Sequence, residues 1–132
     1  MSAHGAGATE TGERVARALF GDERYEASRI RASEGYRREL LRLADDVVFG
    51  TVYASEVLPL RERSLCTVAA LTVLGREQQL AAHIGGALNV GVTEEEVAEV
   101  VRQMAMYGGF PAALNAMAVA ENVFAARNET AT

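Results

Sequence analysis

Apolar residues recur along this chain at helical rather than alternating spacing. Tyr36, Leu40, Leu43, Ala44 and Val47 form an i, i+4, i+7, i+8, i+11 stripe, which predicts a helix starting near Ser33. A shorter helix is expected from Glu13 to Phe20, closed by Gly21. Arg61–Leu74 begins charged and turns apolar through Leu65, Val68, Leu71 and Leu74, reading as a helix buried on several faces. Arg76–Val90 carries Leu80, Ile84, Ala87 and Leu88, with Gly91 as its stop. Thr93 followed by Glu96 is a capping-box signature, opening a helix through Val97, Val100, Val101, Met104 and Ala105. Gly108-Gly109 ends it, and Pro111 suits the first turn of an alanine-rich helix from Ala112 to Ala126. Phe49–Leu58 shows no period and is expected to be an irregular connection close to a ligand. The pattern predicts an all-α protein of about six helices.

The length of 132 residues suits one domain, expected over 13–128. The small, polar residues 1–12 read as a disordered leader without the basic start and apolar middle of a signal peptide. No run approaches the roughly 18–20 apolar residues that span a bilayer, so a cytoplasmic protein without a membrane partner is expected. A formal charge of −5 argues against a nucleic-acid partner bound by neutralising phosphates. All 13 basic residues are arginines, so lysine Schiff-base chemistry is excluded. The single cysteine, Cys66, forms no internal disulfide and reads as a buried, inert thiol in an apolar run.

His83 is the first candidate for chemistry. Two glycines, Gly85 and Gly86, follow it inside a helix, where each costs roughly 1 kcal/mol relative to alanine. The glycines make room either for a ligand or for a neighbouring helix packed on a structural histidine; both readings stay open. Arg61, Arg63 and Arg76 form an arginine group suited to carboxylates, or an ordinary solvated first turn. Gln79 lies one turn before His83 on the same face, and Tyr107 stands at the Gly-Gly break. No phosphate loop, metal-ligand spacing or Ser-His-Asp pattern occurs.

Leu58-Pro59, Arg63-Ser64-Leu65, Gly75-Arg76, His83 with Ala87–Thr93, and Glu96, Glu99 and Gln103 with Tyr107–Ala116 together resemble the carboxymuconolactone decarboxylase family. The likeness covers roughly residues 13–126. It implies the small all-α fold shared with alkylhydroperoxidase D, assembled as a ring, a homo-trimer or homo-hexamer. The redox branch of that family carries a Cys-x-x-Cys pair; those positions here are Arg76 and Gln79, which excludes thiol–disulfide chemistry. The decarboxylase branch needs no cofactor and no metal, because electrons released with CO2 run into the substrate's own lactone carbonyl. On that resemblance His83 would move the proton and Arg63 would act with it, while Arg76, Gln79, Tyr53, Phe49, Ser55 and Tyr107 would line the substrate.

This sequence departs from the family pattern at named places. Where a Trp-Gly-x-x-Trp-x-Arg-Pro-Gly stretch is common, it reads Phe49, Gly50, Tyr53, Ser55, Glu56 and Val57, and Gln79 replaces a common glutamate. The expected function is cofactor-free decarboxylation of a small carboxylated lactone or keto acid. Two alternatives remain: a tailoring enzyme decarboxylating, isomerising or opening a larger polyketide-like intermediate, and a non-catalytic oligomeric binding protein.

Overall fold

The computed structural model describes residues 4–32 and 35–131. Seven α-helices and one π-helical segment account for nearly all of them, with no strand among the described residues. The chain forms two compact units, Met1–Pro59 and Leu60–Thr132.

The first unit holds α1 (His4–Phe20), α2 (Asp22–Ala32) and α3 (Arg37–Leu43), which runs directly into a π-helical segment, Ala44–Val52. Residues 4–12, expected to be a disordered leader, are therefore helical; residues 1–3 lie outside the described part. The reason is a close helix crossing built from glycine. A Cβ placed on Gly12 would stand 1.8 Å from the Asp45 carbonyl oxygen, and one on Gly50 would stand 2.2 Å from that of Ala8. Thr9 Oγ1 also donates to Asp46 Oδ1 at 2.5 Å. Gly12, which reads as part of a loose leader, is here a requirement of backbone contact.

Asp45 is buried on the π-helical segment and is matched by two donors, the Tyr25 hydroxyl at 3.3 Å and the Arg29 guanidinium. Arg17 and Arg29 both lie over the Tyr25 ring, at 4.6 and 4.4 Å. α2 has no apolar period, and periodicity missed it. The helix expected from Ser33 begins instead at Arg37; Ser33 itself lies outside the described residues. Its apolar stripe faces outward: Tyr36, Leu40, Leu43 and Val47 are all more than half exposed. Phe49–Val52, expected to be irregular, closes the π-helical segment, and only the residues after it are turn and loop.

The second unit is a four-helix assembly of α4 (Leu60–Leu74), α5 (Glu77–Asn89), α6 (Glu94–Gly108) and α7 (Phe110–Ala131). Its boundaries follow the punctuation in the sequence. Gly75, Gly91 and Gly109 take φ of 70°, 98° and 95°, which other residues rarely adopt. The capping box is complete: Glu96 N–H donates to Thr93 Oγ1 at 3.1 Å, and Thr93 N–H to Glu96 Oε1 at 3.0 Å. Val68, Leu80, Ile84, Val97 and Val101 fill the core, with Ala113, Ala116 and Ala120 of α7 set against them. At the far end of α6, Gly108 abuts Val73, whose Cα would lie 3.1 Å from an added Cβ. α4 buries Ser64, Val68 and Thr72, one position per turn. Cys66 stands roughly opposite that line and is exposed, not buried as its apolar neighbours suggested.

Candidate active site

α5 carries three of the expected site residues in succession. Arg76 is its N-cap, held by its own N–H donating to the Leu71 carbonyl at 3.1 Å, while its carbonyl accepts from Leu80 N–H at 2.8 Å. That fixes the backbone and leaves the guanidinium exposed at the turn between α4 and α5. Gln79 is exposed on the first turn, and His83 follows one turn later. His83 is half-buried beside the fully buried Ile84, with Nδ1 screened from solvent. Burial pushes the imidazole down to about 4, because a charged ring would lose its hydration there. At neutral pH His83 is therefore a neutral imidazole, able to accept a proton at one nitrogen and donate a hydrogen bond from the other.

Arg63 lies half-buried on α4, the helix packed beside α5, and its carbonyl accepts from the Thr67 hydroxyl at 3.0 Å. Arg61, its companion in the sequence, is committed elsewhere: it pairs with Glu96 on α6 and with Glu62 at 3.4 Å. Tyr107 is three-quarters exposed beside Gly108 at the end of α6. The remaining expected residues belong to the first unit. Phe49 is buried there, edge-on to Phe20 at 5.6 Å and to Tyr53 at 5.2 Å between ring centres. Ser55 Oγ accepts from Val57 N–H at 3.4 Å and so acts as a turn residue.

Sequence reasoning passed over Ser64, next to Arg63. Its hydroxyl is fully buried with no hydrogen-bond partner, whereas Thr72 on the same face bonds back to the Val68 carbonyl at 2.8 Å. The available signal was a serine at the same helical register as Val68 and Thr72. Among the described residues no three histidine, cysteine, aspartate or glutamate side chains come together to hold a metal ion.

A family model for carboxymuconolactone decarboxylases matches residues 38–122. The chain belongs to that family. Over 76 residues it is 42% identical to a 4-carboxymuconolactone decarboxylase of Acinetobacter baylyi, covering 58% of this chain and 57% of that protein. It is 40% identical over 83 residues to an uncharacterized 15.0 kDa protein of Paracoccus denitrificans, covering 61% and 62%. The chain thus spans under two-thirds of the length of both. A nitrosuccinic acid decarboxylase of Metarhizium robertsii is 31% identical over 112 residues, 85% of this chain and 78% of that protein. All-α architecture and family membership agree with the resemblance carried by Arg63-Ser64-Leu65, His83 and Tyr107–Ala116.

Proposed function

We propose that the protein is a decarboxylase acting on a small carboxylated lactone or related acid, with His83 as the group that moves the proton. The observation that carries this reading is a desolvated, neutral imidazole on α5, inside the stretch that the family model matches. Loss of CO2 from 4-carboxymuconolactone breaks one C–C bond and leaves its electron pair on the ring. That pair is delocalised into the lactone carbonyl as an enolate, so the substrate supplies its own electron sink and no cofactor is required. The enolate is then quenched by one proton on carbon.

The unliganded ring is neutral at pH 7, so the transferable proton must be loaded. An anionic substrate does this: a carboxylate close to the ring favours the imidazolium and raises its pKa. Arg63, with Arg76, holds carboxylate oxygens through charge-assisted hydrogen bonds. Imidazolium then donates to the enolate as CO2 departs, which is general acid catalysis worth about 10²–10⁴ in rate.

A second reading has its own support. One relative, matched over 85% of this chain, is a decarboxylase named for nitrosuccinic acid, an open-chain di-acid. The tailoring alternative, a larger and less charged polyketide-like intermediate, is supported by the loss of an arginine at Ser55. Both readings are tested by measuring CO2 release from 4-carboxymuconolactone and from nitrosuccinate with the wild-type protein and His83→Ala. Release from either acid, reduced about a hundredfold or more in the variant, is expected. An unchanged turnover number in His83→Ala removes the histidine from the reaction. No release from either acid removes both substrates.

A further inference from the structure

π turns are rare and occur mostly singly, yet the segment Ala44–Val52 runs nine residues in that form and follows α3 without a break. Its last turn is closed by the Tyr53 N–H, which donates to the Val48 carbonyl, five residues back, at 2.7 Å. The reason lies in α1. Ala8 and Gly12 are four apart and share one line on that helix. A Cβ added to Gly12 would meet both the Asp45 carbonyl oxygen, at 1.8 Å, and the Gly50 nitrogen, at 3.1 Å. One added to Gly50 would meet the Ala8 carbonyl oxygen at 2.2 Å and that of Asp45 at 2.9 Å. Asp45 and Gly50 therefore sit together against α1. On an α-helix, with 3.6 residues per turn, positions five apart stand about 140° from one another and cannot both face one neighbouring line. On a π-helix they are stacked, because its bonds join residues five apart. Thr9 donating to Asp46, and Phe20 edge-on to Phe49 at 5.6 Å, extend the same seat.

We propose that α1 is a clamp whose glycine-tight seat on Asp45 and Gly50 selects the π register of residues 44–52. Register decides direction. A π turn absorbs one residue more than an α turn, so Tyr53, which follows it, is turned by about 100° from its α-helical course. Tyr53 in turn packs on Phe49, at 5.2 Å between ring centres. On the decarboxylase reading Phe49 and Tyr53 are expected substrate contacts, and the functional consequence rests on that reading. Ala8, Thr9 and Gly12 are then positioning residues, which set substrate affinity without touching substrate.

Crystal structures of two glycine variants test the clamp. In Gly50→Ala the new methyl collides with the Ala8 carbonyl, so α1 should lift and the Tyr53 N–H should move to the Phe49 carbonyl. Gly7→Ala, with open space at its position, should keep the bond to Val48. Should Gly50→Ala not fold, Thr9→Val keeps the side chain's shape and loses the bond to Asp46. Amide hydrogen exchange at Tyr53 should quicken by about tenfold or more in Thr9→Val and return to the wild-type rate in Thr9→Ser. KM should rise by about threefold or more in Thr9→Val at unchanged kcat, again restored in Thr9→Ser. A Tyr53–Val48 bond retained in Gly50→Ala, or exchange indifferent to Thr9→Val, overturns the clamp. Faster exchange with an unchanged KM overturns the positioning role. The bond and the exchange are read without substrate, so their outcome is separate from any failure of the decarboxylase reading.

Discussion

Arg61 on α4 is ion-paired with Glu96 on α6, and the same carboxylate closes the capping box by accepting the Thr93 N–H. The Arg61 guanidinium first, and the Thr93 amide second, hold the Glu96 carboxyl below the usual carboxylate range. One carboxylate thus ties two helix starts together. It also commits Arg61 to a carboxylate of the protein itself.

Thr93→Ala should cost about 1 kcal/mol of stability, since it strips the cap from α6. Arg61→Ala should lower the melting temperature while leaving any CO2 release intact, because its partner is Glu96. Because Glu96 is depressed in the folded state, its contribution is present above its unfolded pKa and fades as pH falls through its folded one. Urea titrations of both variants at pH 7 and pH 4 read out these effects. A stability difference for Arg61→Ala that does not shrink at the lower pH contradicts the assignment.

His83 titrates in the opposite chemical sense but weakens the fold over an adjoining range. Its folded pKa of about 4 lies below its ordinary value of 6.5. The unfolded chain therefore binds the proton more readily, and stability is lost as pH falls from above 6.5 toward 4, by up to about 3 kcal/mol. Unfolding free energies measured across that window should fall less steeply in His83→Gln than in the wild type. Equal slopes would show that the ring is not desolvated.

The proposed reaction carries a related signature. The kcat/KM profile reports the free enzyme and kcat reports the complex. The histidine pKa in the kcat profile should therefore lie above the value near 4 of the free ring, raised by the substrate's negative charge. Coincident profiles would rule out loading of the imidazole by substrate.

Glycine substitutions in α1 should change sign over five residues. An added methyl at Gly12 meets the Asp45 carbonyl at 1.8 Å, so Gly12→Ala should destabilise by about 1–3 kcal/mol. At Gly7 nothing lies within 4 Å, so Gly7→Ala should stabilise by about 0.5–1 kcal/mol through helix propensity. Thermal melts of the two variants decide it; a loss at both positions would leave the crossing unsupported.

Ser64→Ala should be neutral or stabilising by up to about 1 kcal/mol, since it removes a buried hydroxyl that has no partner. A clear loss of stability would instead mean that the hydroxyl bonds a buried water.

The helices of the second unit were legible because local chemistry marks both of their ends. Gly75, Gly91, Thr93 with Glu96, and Gly108-Gly109 act within a few residues of themselves, and the structure has its boundaries there. His83 stood out for the same local reason, as a titratable ring set in an apolar helix before two glycines. The first unit resisted reading because its determinants are distant in sequence. Gly12 is explained by Asp45, and Asp45 by Tyr25 and Arg29. No window of neighbouring residues contains those pairs.

Periodicity and punctuation alone determined an all-α chain, the four helices that follow Pro59 and the place of His83 in an apolar helix, because helix propensity, capping and apolar spacing are short-range effects. Burial and charge state were decided only in three dimensions. The outward face of Leu40, the exposure of Cys66, the commitment of Arg61 to Glu96 and the neutrality of His83 depend on which surfaces meet, and desolvation is a property of the packed whole rather than of any residue in it.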